Sequence, residues 1–131
     1  NNIRFVEEMV SKFGRAIAVG VDLRDGMVAV KGWTETTGLS GTDFCASLQE
    51  IGVRTVICTD IARDGVLAGA NRALYRELKD AFSMDFIASG GVSSLEDVSA
   101  LKEIGLYGAI VGKAYYTGAI DLAAAIREAN A

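Results

Sequence analysis

The chain has 131 residues, 50% hydrophobic and 23% charged, a composition that supports one globular domain with a usable core rather than a disordered segment. A net charge of −4 excludes the basic footprint of a nucleic-acid binder, so any phosphate taken here belongs to a small molecule held locally. Histidine is absent, which removes imidazole metal sites and the Ser-His-Asp triad, and no apolar run approaches the ~18 residues of a membrane span.

The first stretch, IRFVEEMVSKFG, begins without a methionine and reads as an amphipathic helix already inside a domain. Ile3, Phe5, Val6, Met9, Val10 and Phe13 fall near one face, and Gly14 closes it. Ala16 to Val21 is a near-continuous apolar run of the kind buried on both faces of a parallel sheet, and it delivers Asp22 at its end. Arg24-Asp25-Gly26 turns the chain, Met27 to Lys31 forms a short extra strand, and Gly32-Trp33 opens a loop through Glu35 and Gly38. Ser40 caps a helix whose inner face carries Phe44, Cys45, Leu48 and Ile51. The second core strand, Thr55 to Cys58, delivers Thr59 and Asp60 into a loop with Asp64-Gly65 as its turn. Asn71 caps a helix to about Asp80, and Phe86 to Ala88 is a strand leading into Ser89-Gly90-Gly91. Ser93 or Ser94 caps the next helix, Gly105 ends it, and Tyr107 to Val111 is the fourth strand, ending in Gly112-Lys113. A short turn near Ala114 to Thr117 and a helix from Asp121 to about Ala129 complete the chain. Cys45 and Cys58 sit in apolar surroundings without a CxxC pair, as reduced, buried thiols of a cytoplasmic protein do.

Four alternations of strand and helix argue α/β with parallel strands, and right-handed crossovers then place all four strand ends on one rim. That rim carries Asp22, Thr59 with Asp60, Ser89 to Gly91, and Gly112 with Lys113, where active sites of α/β folds lie. Each residue also has an ordinary use. Asp22 can cap or turn the chain, Asp64 can serve only its Asp-Gly turn, and Thr59 can satisfy backbone at a strand end. Trp33 can stack on a ligand ring or cap the rim, Tyr115 and Tyr116 pack under the rim, and most other charges are solvated surface. Glycine backbone at two consecutive strand ends, one followed by lysine, is a phosphate cradle: bare N–H groups approach the anion and a helix N-terminus adds its positive end.

The series VGVDLRDG, VAVKGW, TDIARDG, IASGGVSSLEDV and GAIVGKAYY resembles the second half of the phosphoribosylformimino-5-aminoimidazole carboxamide ribotide isomerase family of histidine biosynthesis, across essentially the whole chain. The sister imidazole glycerol phosphate cyclase shares the ASGG cradle and the (S/T)xxxDG loop, whereas KGW, GVSS and IVGK favour the isomerase. The resemblance implies a (β/α)8 barrel, here a C-terminal half of four βα units, numbers 5 to 8, preceded by the helix of unit 4. It implies an Amadori rearrangement of an aminoaldose ribotide to an aminoketose, without metal or organic cofactor. By the same resemblance Asp22 and Asp64 match positions assigned to catalysis or substrate handling, Thr59 a threonine at the reacting ribose, and Trp33 a tryptophan over the carboxamide-imidazole end. Ser89, Gly90, Gly91, Gly112 and Lys113 match one of two phosphate sites.

Two departures stand out. The chain has no proline, with Ala70 where the family usually places one before Asn71. Four strands also cannot close a barrel that takes eight strands and about 250 residues. A half-barrel would leave unpaired parallel edges at Ala16 to Val21 and Tyr107 to Val111, so a homodimer or a complementing N-terminal half is the expected partner, beside the phosphorylated ribotide. A non-catalytic or engineered phosphate-binding scaffold is the alternative to the enzyme reading.

Overall fold

Strand and helix follow one another much as the apolar runs predict. A computed structural model describes residues 2–30, 35–63 and 69–131. Helix α1 (Asn2–Phe13) passes through a single 3-10 turn at Gly14–Ala16 into β1 (Ala18–Arg24), which turns at Asp25-Gly26 into β2 (Met27–Val30). After β3 (Glu35–Ser40) come α2 (Gly41–Glu50), β4 (Thr55–Asp60), α3 (Arg72–Ala81), β5 (Asp85–Ser89) and α4 (Leu95–Ile104). The last elements are β6 (Gly108–Ala109), the single turn α5 (Lys113–Tyr116) and α6 (Leu122–Asn130).

Local chemistry sets the helix ends. Ser40 Oγ accepts the Asp43 N–H at 3.0 Å, Asn71 Oδ1 that of Leu74 at 3.2 Å, and Ser94 Oγ that of Asp97 at 3.1 Å, each satisfying an orphan donor of a first turn. Gly105 stops α4 at φ +95°, a left-handed conformation costly for any residue with a Cβ.

The six strands form one sheet in the order β3-β2-β1-β4-β5-β6. β1, β4, β5 and β6 are parallel, joined by crossovers that carry α2, α3 and α4. β2 and β3 extend the sheet antiparallel beside β1. β3 corrects the expected loop through Glu35 and Gly38. Its pairing with β2 shifts register between Met27↔Ser40 and Ala29↔Thr36, and Gly38 at φ +78° lies within the shift. A polar stretch interrupted by a bulge glycine carries no strand period in its sequence. Among the described residues β2 pairs with β1 at Leu23 and Arg24, beyond the stretch Ala16 to Val21 where an open edge is expected. β6 is shorter than expected, although Tyr107 and Ile110 still donate their N–H groups to Phe86 and Ala88 of β5 at 2.9 and 2.8 Å.

The two faces of the sheet differ, and this corrects the expectation that β1 is buried on both. Along β4, Val56, Cys58 and Asp60 are buried while Thr55, Ile57 and Thr59 are half-buried, and β1 and β5 alternate in the same way. The buried face packs on Cys45 and Leu48 of α2, Tyr75 and Leu78 of α3, and Val98 and Leu101 of α4. Each fully buried leucine or phenylalanine there contributes about 2 kcal/mol of transfer free energy. Cys45 and Cys58 belong to this core as free thiols. Burial pushes the Cys45 thiol up to about 11; burial first, then Cys45, Asp60 and Asp22, pushes Cys58 higher still. Both therefore stay protonated and act as small apolar side chains.

Candidate functional site

Register decides which polar residues meet. Asp22 of β1 pairs with Thr59 of β4, and Thr59 with Ser89 of β5, so the three form one row across adjacent parallel strands at their C-terminal ends. In-register residues of a parallel sheet share a face, and all three are half-buried on the face away from the helix-packed core. Beyond Ser89 the chain enters Gly90 at φ +92° and Gly91 at φ +82°, two consecutive left-handed residues that bend the backbone at the rim. β6 ends beside β5, so Gly112 and Lys113 leave from the neighbouring strand end, with Lys113 exposed at the start of α5. The structure thus aligns Asp22, Thr59 and Ser89 and puts both glycine segments on adjacent strand ends. Trp33 and Asp64 lie outside the described residues.

Asp60 is different from its neighbour Thr59. It is 5% exposed on the core side, where it accepts from Asn71 Nδ2 at 2.9 Å and from the Ala62 N–H at 3.2 Å, with Arg63 Nε at 3.7 Å. Arg63 in turn donates through Nη1 to the carbonyls of Gly69 and Ala70 at 3.0 and 3.4 Å. Asp60, Arg63 and Asn71 therefore tie together the two ends of the loop that follows β4. The strand period assigns this role: a one-residue step moves the side chain from the open face to the core.

A buried tyrosine braces the rim from below. The Tyr75 hydroxyl shares its hydrogen between Ser89 O at 2.9 Å and Cys58 O at 3.1 Å, linking the ends of β4 and β5 under the row. Burial, and secondarily the neighbouring Cys58, push its phenol upward, so it remains a donor across the physiological range. Tyr75→Phe leaves those two carbonyls without that donor and should lower unfolding free energy by about 1–2 kcal/mol, read by urea denaturation, with an unchanged m-value. An unaltered midpoint would show the brace to be energetically idle.

Asp97 is a buried carboxylate that sequence reasoning passes over, since it counts there among solvated charges. It is 3% exposed. Burial alone raises its pKa, but the Ser93 N–H, the Arg72 guanidinium and the Ala70 backbone outweigh that and hold the carboxyl below its usual range. The signal available in the sequence is Ser94-x-x-Asp97, a capping-box spacing directly after the glycines. Tyr115 and Tyr116, expected beneath the rim, are instead exposed and lean on each other at a ring separation of 5.5 Å. A single helical turn is too short to bury two consecutive rings. Among the described residues no cluster of Cys, Asp and Glu could hold a metal ion, and no helix is long and apolar enough to cross a membrane.

Parallel strands that bring a carboxylate, a threonine and two left-handed glycines to one rim make an α/β domain of the class whose ligand sites lie at the carboxyl ends of the strands. Comparison with known proteins narrows the class. The profile of a family described as "Histidine biosynthesis protein" matches residues 1–121, and the chain belongs to that family. Over 130 residues it is 46% identical to the 1-(5-phosphoribosyl)-5-((5-phosphoribosylamino)methylideneamino) imidazole-4-carboxamide isomerase of Syntrophomonas wolfei, covering 96% of this chain and 53% of that protein. The isomerase of the same name from Brachyspira hyodysenteriae is 46% identical over 121 residues, 92% of this chain and 51% of its own length. That from Clostridioides difficile is 45% identical over 120 residues, 92% and 50%. The chain spans about half the length of the curated relatives it matches.

Proposed function

We propose that residues 1–131 form one half-barrel, βα units 5 to 8 preceded by the helix of unit 4, and supply half the active site of the isomerase for which those relatives are named. The observation that carries this reading is the Asp22-Thr59-Ser89 row beside the two left-handed glycines, on the less buried face of the sheet. In a closed barrel that face is the interior, and the rim is where substrate sits.

The reaction is an intramolecular Amadori rearrangement of a phosphorylated ribotide, an aminoaldose becoming an aminoketose. An acid protonates the ribose ring oxygen O4′ as the C1′–O4′ bond breaks, leaving a protonated imine at C1′. A base then removes the proton from C2′ to give an enol-amine, whose protonation at C1′ with loss of the O2′ hydroxyl proton yields the ketose. Two carboxyl groups, one protonated and one ionised, perform both steps without a metal or organic cofactor. Asp22 or Asp64 is the carboxyl supplied by this chain, facing one from the other half. Thr59, beside Asp22, hydrogen-bonds the reacting ribose or that carboxylate. Trp33 covers the carboxamide-imidazole end. Ser89, Gly90 and Gly91, with Gly112 and Lys113, grip one phosphate, the backbone N–H groups approaching it and the ammonium neutralising charge.

The partner is either a second copy paired edge to edge or a separate N-terminal half, and the setting is the cytoplasm. An apolar groove lined by Phe5, Met9, Ile17 and Val19, together with exposed Tyr107 and Ile110 at the opposite edge of the parallel strands, supports association. The chain alone is expected to turn over little or no ribotide, and addition of the first half of a relative to restore turnover. Light scattering follows the assembly. A stable monomer that remains inert with the added half contradicts the proposal.

A further inference from the structure

Asp97 sits where the loops after β4 and β5 touch. Its Oδ2 accepts the Ser93 N–H at 3.1 Å and the Ser93 hydroxyl at 3.3 Å, and its Oδ1 accepts Arg72 Nη2 at 3.1 Å. Ser93 is the second residue after the glycine pair, and Arg72 is the first residue of α3, directly after the loop that follows β4. The two loops also meet at Gly91 itself, where an added Cβ would lie 2.6 Å from the Gly69 carbonyl oxygen. Gly69 lies against the carboxylate too, its Cβ position being 3.7 Å from Asp97 Oδ1.

We infer that Asp97 is the positioning residue of the phosphate cradle, fixing Ser93 and hence the glycine turn against the segment 69–72. The inference rests on the cradle reading above. In an ordinary capping box the third helical residue reaches back to the N-cap N–H; here the shorter aspartate takes the N–H of Ser93, one residue further into the cradle's exit. A carboxylate beside an anion site would repel its ligand if unpaired. Arg72 neutralises it, so Asp97 can hold the loop without opposing phosphate. Glycine turns left to themselves sample many conformations, and a cradle fixed before binding avoids the cost of ordering it.

The test is calorimetric titration of inorganic phosphate into the 131-residue chain, with thermal melts of every variant. Asp97→Asn should weaken phosphate on the order of tenfold, the loss that one badly satisfied buried group produces. Ser94→Ala removes the cap of the same helix and is the structural control: its melting temperature falls while its Kd stays within about twofold of the parent. Arg72→Met removes the other arm from a half-exposed side chain, and gives the same reading should Asp97→Asn fail to fold. Parent-like affinity in Asp97→Asn, or in Arg72→Met where only that variant folds, overturns the role of Asp97 and leaves the cradle standing. Absence of phosphate binding by the parent overturns the cradle itself, and this role with it.

Discussion

Asp22→Asn, in a barrel reconstituted with the first half, should lower turnover about a thousandfold while inorganic phosphate binds as in the parent. The substitution is nearly isosteric, so the pairing of β1 with β4 survives and the row with Thr59 and Ser89 keeps its register. What disappears is a group able to accept or release a proton. Asp22 and Ser89 are separated by one intervening strand, about 10 Å at the usual strand spacing. That span suits a phosphorylated pentose lying along the rim, its phosphate in the cradle and its reacting carbons near the carboxyl. Loss of chemistry with retention of the grip therefore separates an enzyme from a phosphate-binding scaffold. Asp64→Asn, measured beside it, apportions the work between the two candidate carboxyls. Full turnover in both variants would remove this chain's carboxyls from the reaction.

Gly91→Ala should destabilise the domain by about 2 kcal/mol, or roughly 8 °C in melting temperature, and abolish phosphate binding with it. Two physical effects combine at this position. Its φ of +82° is unfavourable for alanine, and the new Cβ would stand 2.6 Å from the Gly69 oxygen and 2.9 Å from Arg63 Cβ. Those neighbours are held: Arg63 donates to the Gly69 carbonyl and is itself paired with Asp60. Gly26→Ala isolates the first effect, because φ there is +81° and an added Cβ meets nothing within 4 Å. The difference between the two melting temperatures measures the contact between loops. Equal losses at both positions would show that the cradle and the loop after β4 move apart without cost.

Local features of the fold were readable from the sequence. Ser40, Asn71 and Ser94 cap the helices expected of them, Gly105 ends α4, and the apolar runs become parallel strands whose ends carry Asp22, Thr59 and Ser89. Such features depend on side chains within a few residues of the backbone they satisfy. β3 escaped because threonines and a bulge glycine hide a strand whose pairing comes from β2. Asp97 escaped for a different reason: its Arg72 partner is 25 residues away, and a charged residue reads as surface until the fold supplies its counter-ion. The Tyr75 brace joins carbonyls 17 and 14 residues distant, and tyrosine on an amphipathic helix signals burial without naming an acceptor. Family motifs nominated the candidate site residues as a set; register and parity then put Thr59 in the row with Asp22 and Asp60 into the loop scaffold.

The decisive measurement is isomerisation of the ribotide by purified chain, alone and after mixing with the first half of one of the matched relatives, followed as ketose formed per active complex. The half-site reading predicts negligible product from the chain alone, steady turnover from the mixture, and loss of that turnover in Asp22→Asn with phosphate affinity intact. Undiminished turnover by the chain alone, or a mixed complex that assembles and stays inactive, would contradict it.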